Sequence, residues 1–242
     1  MSGARAWESL SWDSHFLGFS VGRLPAQELS ASELAAQVTA AREAGMALLY
    51  LVAAPGDKRS NASARQAGAR LADRKVTFGM PVAAEAWELP ISRAIRPTVH
   101  STARLESLAL QSGEYSRFRL DPRFEASVFP RLYGLWLRNS LSHELAREVL
   151  VFEPEAGAEA VGLLTLGVKQ GRADIGLLAV DEQSRGQQIG QQLVQAARQR
   201  AAAWGLAELQ VVTQLDNEPA CLFYRKCGFA EYTVEHIYHL WL

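Results

Sequence analysis

The stretch from Leu177 to Val194, LLAVDEQSRGQQIGQQLV, decides how this chain folds. An apolar run ending at Val180 predicts a strand, and a polar loop containing Gly186 follows. Ile189, Leu193, Ala197 and Ala201 then recur at helical spacing. A helix that starts after such a loop leaves backbone N–H groups free at the positive end of its dipole, which makes an anion site. Arg185 supplies a charge-assisted contact, and Gly186 and Gly190 let the backbone approach a phosphate closely. No Gly-Lys-Ser/Thr follows, so this is not a Walker loop. An ordinary tight turn has the same outline, and the segment alone does not separate the two.

Outward from it, periods of two and three-to-four alternate. Downstream, a helix from Gly190 to Trp204 stops at Gly205, and a strand covers Glu208 to Gln214. A helix from Asn217 to Cys227 stops at Gly228, and a strand covers Tyr232 to Leu240. Upstream, Glu148 to Phe152 and Ala160 to Val168 predict a hairpin, and the turn Lys169–Arg172 leads into Ala173 to Val180. Before these lie a helix from His100 to Gln111 and a loop from Ser112 to Phe124. An amphipathic helix then carries Phe129, Leu132, Tyr133, Trp136 and Leu137.

The first ninety residues predict a strand at Gly18 to Leu24 and a helix capped at Ser30–Glu33 that runs to Ala44. A buried strand at Met46 to Ala54, a short helix at Ser60 to Gly68 and a strand at Lys75 to Met80 follow. Trp87 and Leu89 imply that the connector Pro81–Pro90 packs against something. The expectation is a mixed α/β protein without internal repeats, with domains at 1–92 and 93–242.

The 242 residues are 48% apolar and 21% charged, which excludes a disordered chain. With 25 basic against 26 acidic residues, no basic face for nucleic acid is expected. The longest apolar run, Met46 to Ala54, is about half the length of a membrane span. The first residues show no signal-peptide pattern, so a soluble cytoplasmic location is expected. Cys221 and Cys227 fall ~9 Å apart along one helix, too far for a disulfide. His236 and His239 alternate across a strand, and His15, His100 and His143 lack ligand spacing, so no metal is expected.

A second segment carries the chemistry: Asn217 to Phe229, NEPACLFYRKCGF. At ~100° per residue, Asn217, Ala220, Cys221 and Tyr224 share a narrow arc, with Leu222 and Phe223 directed elsewhere, into the core. A polar, a small and a phenolic side chain on one face suit a groove for an elongated ligand, and a Tyr hydroxyl can act as general acid.

Together the two segments resemble the GNAT superfamily of acyl-CoA-dependent N-acyltransferases. Its loop pattern is Gln/Arg-x-x-Gly-x-Gly/Ala, and its last helix carries Asn-x-x-Ala-x-x-x-Tyr followed by Gly-Phe. Arg185 and Gly190 match the ends of the loop pattern, and Gln188 stands at its middle glycine. Asn217, Ala220, Tyr224, Gly228 and Phe229 match the second throughout. The resemblance covers about residues 94–242 and implies the GNAT fold. SWDSHFLGF near the start, YSRFR at Tyr115–Arg119 and VVTQLDN at Val211–Asn217 are similar to a narrower group. This is the bacterial dTDP-fucosamine (dTDP-4-amino-4,6-dideoxygalactose) N-acetyltransferases of surface-polysaccharide synthesis. That group joins a truncated GNAT-like N-terminal unit to a full GNAT domain and tends to dimerise.

The resemblance implies acetyl-CoA and a nucleotide-linked amino sugar as partners, with no metal. Pantetheine would lie between splayed strands along Leu178, Ala179 and Val180. The pyrophosphate would meet Arg185, Gly186, Gln187, Gln188, Gly190 and Gln191. Asn217 and Ala220 would line the groove, with a backbone N–H at Leu178 or Ala179 stabilising the oxyanion and Tyr224 protonating the thiolate. Tyr115, Arg117 and Arg119 are the candidates for the sugar nucleotide, although both arginines equally suit surface carboxylates. No general base stands out, and Asp174 is expected to be a turn or solvated edge residue. A peptide N-terminus or small amine as acceptor, and a sensor without turnover, are the alternatives.

Overall fold

The computed structural model describes residues 7–242 apart from Ala26, Leu89 and Ala156. In chain order the elements are β1 (Glu8–Ser9), α1 (Ser11–Leu17), β2 (Val21–Leu24), α2 (Ala31–Glu43), β3 (Leu48–Ala53), α3 (Lys58–Gln66) and β4 (Arg70–Pro81). A 3-10 turn at Ala84–Glu88 leads to β5 (Ile95–Pro97), α4 (Ala103–Ser112), α5 (Arg117–Leu120) and α6 (Val128–Leu141). Then come β6 (Glu148–Phe152), β7 (Gly162–Lys169), β8 (Arg172–Val180), α7 (Ile189–Ala203), β9 (Glu208–Gln214), α8 (Glu218–Lys226) and β10 (Ala230–Trp241).

Two compact units emerge, and they do not follow one cut in the chain. The first comprises 1–76, 214–216 and 233–242, and the second 77–213 and 217–232. The expected boundary at residue 92 thus lies within the second unit, and β4 and β10 contribute residues to both. Strand order in the first unit is β1-β2-β3-β10-β4, with β2 and β3 parallel and β10 antiparallel to β3. Leu34, Val38 and Ala41 of α2 and Ala64 of α3 bury their side chains with Leu49, Leu51 and Tyr238. The Ser30 capping box forms as expected, because Ser30 accepts from the Glu33 N–H and Glu33 from the Ser30 N–H.

In the second unit the order is β4-β9-β8-β7-β6-β5. The hairpin β6–β7 and the turn into β8 give an antiparallel meander, and β8 runs parallel to β9. The connector after β4 does pack: Gln199 and Gln195 of α7 donate to Trp87 O (2.8 Å) and Pro90 O (2.7 Å). The Trp87 ring itself is 58% exposed, and Leu89 lies outside the described residues.

The expectation of no internal repeat is overturned. Lys58 and Glu218 start α3 and α8, and Arg70 and Ala230 start β4 and β10, each pair 160 residues apart. Leu48 and Glu208, which start β3 and β9, and Glu43 and Ala203, which end α2 and α7, keep the same interval. Gly45 and Gly205, and Gly68 and Gly228, occupy matching left-handed stops. Two further elements also depart from expectation. Helix α1 precedes β2 where only a strand was predicted, and α5 forms inside the predicted loop, capped by the Ser116 side chain on the Phe118 N–H.

Candidate functional site

The feature that defines the site is a ladder that stops. Strand β8 pairs with β9 only at Ala173–Leu209, Asp174–Gln210 and Ile175–Val211, and the remaining residues of both strands are unpaired with each other. The cause is in β8. Its register with β7 shifts between Leu164–Leu178 and Leu166–Ile175, so an extra residue bulges at Gly176–Leu177. The Thr165 hydroxyl accepts the Leu177 N–H (2.8 Å) in place of a ladder partner. A Cβ on Gly176 would stand 2.8 Å from that hydroxyl. Both Gly176 and Val212 are exposed, although each lies inside a strand, so the gap is open.

Beyond the bulge, the Asp181 N–H donates to Val161 O (2.9 Å), which marks Val161–Asp181 as a bonded pair and Leu163–Ala179 as the next. Leu178 and Val180 therefore turn their N–H and C=O groups away from β7, into the gap. Ala179 turns its backbone toward β7 instead, so of the expected trio it offers the gap no donor.

The loop at the open end is held by its own polar groups. Asp181 accepts the Gln183 N–H (3.1 Å) and pairs with Arg104 of α4 at 2.8 Å, nearly buried. Arg185 Nε donates to Val180 O (3.1 Å), and its guanidinium lies 4.0 Å from Glu182. Gly186 is left-handed (φ 80°), and so is Gln188 (φ 62°), which caps α7 without a side-chain hydrogen bond. The first backbone bond of α7 runs from Gln192 N–H to Gln188 O (3.1 Å). The N–H groups of Ile189, Gly190 and Gln191 are thus left without an intrahelical acceptor. The Gln187, Gln188 and Gln191 side chains are exposed around them. Gly190 has a second reason to be glycine: a Cβ there would meet the Phe223 ring of α8 at 3.0 Å.

Helix α8 presents a different face from the expected one. Leu222 is 55% exposed, whereas Cys221 and Tyr224 are buried, and Phe223 packs on α7. Asn217 is the N-cap, its Oδ1 accepting the Ala220 N–H at 3.2 Å, so its carbonyl is committed to the helix. The Tyr224 ring sits among Phe78, Phe223 and Phe229, at 5.8, 5.2 and 5.6 Å between centroids. Burial pushes its phenol well above the ordinary tyrosine range, with Cys227 and Cys221 adding to the rise. Such a group stays protonated at neutral pH and is available as a donor. Neither cysteine forms a disulfide, and burial raises the Cys227 thiol to about 11.

Tyr115 is half-buried ahead of α5. Arg117 lies over the Phe118 ring at 4.7 Å and Arg119 over the Phe129 ring at 5.6 Å. Asp174 is not at a solvated edge. It accepts from Gln210 Nε2 at 2.8 Å and is mostly buried, which raises its carboxyl above the usual value, against smaller lowering effects from Gln210 and Lys169. The bulge and the Arg104–Asp181 pair were missed in the sequence, and Asp174 was named there only as a turn or edge residue. Gly176 inside an apolar strand was the one signal present.

The first unit provides the contrast. There β2 pairs with β3 along its whole length. Ser60 Oγ accepts the Leu29 N–H (2.8 Å) and donates to Gln27 O (3.0 Å), and Ser63 Oγ donates to Leu29 O (2.9 Å). The loop ahead of α2 is thereby tied to α3. At the matching interval, Ala220 and Phe223 replace those serines, and Ala64 stands where Tyr224 does. Among the described residues no cluster suited to a metal occurs, and no helix is long and apolar enough to cross a membrane.

Residues 114–229 match the model of the acetyltransferase (GNAT) family. Over 87 residues the chain is 30% identical to a mycothiol acetyltransferase of Clavibacter michiganensis, covering 36% of this chain and 28% of that protein. Over 69 residues it is 36% identical to N-alpha-acetyltransferase 30 of Schizosaccharomyces pombe, covering 28% and 46%. The matches thus span less than half the length of these relatives. A GCN5-related N-acetyltransferase from Sphaerobacter thermophilus shares the fold at a TM-score of 0.59 and 15% identity, over 96% of this chain and 75% of that one.

Proposed function

We propose that this protein moves the acetyl group of acetyl-CoA to the amine of a nucleotide-linked amino sugar. The observation that carries the donor half is the open β8–β9 gap ending at the unsatisfied N–H groups of α7. A pantetheine arm is an amide chain, so it fits a strand edge whose Leu178 backbone groups and Val180 N–H face the gap, with the Val180 carbonyl held by Arg185. The pyrophosphate would take the N–H groups from Gly186 to Gln191, with Arg185 beside them. The Leu178 N–H is the donor suited to the carbonyl oxygen of the thioester. Tyr224, kept protonated by burial, would give its proton to the departing thiolate. Asn217, with Oδ1 engaged at the cap, would use its amide N–H groups on pantetheine or a bridging water, and Ala220 leaves room beside it.

The acceptor half rests on the YSRFR resemblance and on Arg117 and Arg119, whose guanidinium groups suit a diphosphate. A peptide N-terminus is the second reading, favoured by the local match to N-alpha-acetyltransferase 30. Thiol release from acetyl-CoA, measured with dTDP-4-amino-4,6-dideoxygalactose and an alanine-starting peptide in parallel, tests both. Release with the sugar nucleotide alone supports the first reading, and release with the peptide alone replaces it. Silence with both, despite CoA binding, leaves a sensor. The working form proposed is a homodimer, which light scattering at micromolar concentration checks.

A further inference from the structure

In the first unit a single amide holds four partners. Asn61 is buried on α3, and its Nδ2 donates to Ala54 O (2.8 Å) and Asp57 O (2.5 Å). Both partners are carbonyls, which only accept, so the amide fits one way round and its Oδ1 faces β10. There it accepts from the Tyr238 hydroxyl (2.7 Å) and lies 2.7 Å from Nδ1 of His236. An amide oxygen cannot donate, so Nδ1 carries the ring hydrogen and Nε2 is left as the proton acceptor. Arg65, one turn along α3, donates to the Tyr238 oxygen across 3.4 Å. His236 and Tyr238 alternate with Ile237 along β10 and so share the face towards α3. The end of β3, the first turn of α3 and β10 are therefore fastened at one side chain.

The charges that act on the His236 ring are both positive. From β4 comes Arg74, which pairs with Asp216, and from α3 comes Arg65. Strand β3 presents the uncharged Ala53 at the register position of His236. The Asp57 carboxylate is turned to its own helix, accepting the Ser60 N–H. On β10 itself Glu235 takes the opposite face with Lys75, and His239 lies on that face against Tyr50. Burial first, then Arg74 and Arg65, hold the His236 imidazole below its ordinary value of 6.5. We propose that His236 is an acid-sensitive latch: its neutral ring fastens β10 to Asn61, and a proton taken up at Nε2 drives the ring out of that contact.

The Nδ1–H is present in both forms of the ring, so protonation removes no donor from Asn61. What it adds is a third cation beside two guanidinium groups at a half-buried position, where charges interact more strongly than in water. Rotating the ring outward returns it to solvent and leaves Asn61 its bonds to Tyr238, Ala54 and Asp57. The pairing of β10 with β3 from His236 to Trp241 runs through the backbone, so the opening is confined to the α3 side. Between the folded value and 6.5 the unfolded chain holds a proton that the native ring lacks. The latch is thus closed above 6.5 and is lost as pH falls through the folded value. Asp57 and Glu33 titrate outside this window, because hydrogen bonds with Ser60 and Ser30 hold them below 3.8 and 4.5.

The test follows the intact chain from about pH 5 to about pH 8, by imidazole NMR titration and by hydrogen exchange of the α3 and β10 amides. Wild type is compared with His236→Asn, whose amide donates from near the place of Nδ1 without titrating. A second comparison is Arg65→Gln, which keeps a donor for Tyr238 without the charge. The wild-type ring is expected to titrate below 6.5. Protection of α3, corrected for intrinsic exchange, should fall about tenfold for each pH unit that separates the ring's value from 6.5. His236→Asn should lack this fall, with His15 and His239 unchanged in both proteins. In Arg65→Gln the ring should titrate higher and the fall should shrink, which a purely structural contact would not show. A ring that titrates at or above 6.5, or an equal fall in wild type and His236→Asn, overturns the proposal. Should His236→Asn not fold, the substitution at the exposed Arg65 carries the comparison, and an unchanged titration there overturns it.

Discussion

Replacing Tyr224 by Phe separates chemistry from packing. The phenol oxygen makes no hydrogen bond among the described residues, while the ring contacts Phe78, Phe223 and Phe229. Removing that oxygen breaks no bond of the fold, so stability should stay within about 0.5 kcal/mol. If the hydroxyl protonates the leaving thiolate, kcat should fall ~100- to 10,000-fold, about 2.7 to 5.5 kcal/mol of barrier. Tyr224→Ala empties the space among three rings and should cost about 3–5 kcal/mol of stability. At ~2–4 °C per kcal/mol for a chain of this size, its melting point should drop by roughly 6–20 °C. Thermal melts, calorimetric CoA titration and thiol release on the same preparations give the three readouts. A Tyr224→Phe enzyme with wild-type kcat would remove the hydroxyl from the mechanism. A large melting shift would instead show that the oxygen has a partner in the fold.

Three further expectations concern the loop, the cap and pH. Gln188→Gly should add about 0.5–1 kcal/mol in urea unfolding, since a side chain at φ 62° is strained where glycine is not. Acetyl-CoA affinity should not weaken. Asn217→Ala should cost about 1 kcal/mol through the lost cap on Ala220, measured by the same unfolding. For Asp174, burial raises the folded-state pKa above 3.8, so between that value and the higher folded one the native protein keeps a proton that the unfolded chain releases. Stability from this group is present at low pH and is lost as pH rises through that window. Melting curves of Asp174→Asn should lack this decline and should lie no lower than wild type at pH 7.

Much of the fold was legible where one face of an element is buried. The Ser30 box, the apolar run of β3, the β6–β7 hairpin and the Gly-stopped α7 and α8 all signal themselves through periodicity or caps. Helix α1 did not, because none of its seven residues is buried and no apolar stripe exists to read. The α8 arc was correctly drawn but its orientation was inverted. Leu222 looks like core on hydropathy, yet Cys221 and Tyr224 take the inner face once Gly190 admits Phe223. The recurrence at 160 residues left only scattered shared letters, such as Leu49 with Leu209 and Arg65 with Arg225, too few to notice without the matching elements. The gap itself is a missing set of strand partners, and composition carries no record of that. Asp174 illustrates the point: its burial and its Gln210 partner arise from a neighbouring strand far along the chain.

The path of β10 has a bearing on how the protein is made. Its residues from Thr233 onward belong to the first unit, and His236 to Trp241 pair with β3. A nascent chain emerging from the ribosome therefore carries an unfinished N-terminal layer, with the β3 edge toward β10 unpaired, throughout the synthesis of the intervening residues. Unpaired apolar edges are aggregation hazards during such an interval. Truncation just before Thr233 should consequently damage the beginning of the molecule more than its middle. Translation speed and chaperone supply, rather than the strength of the finished core, would then set the yield of native protein.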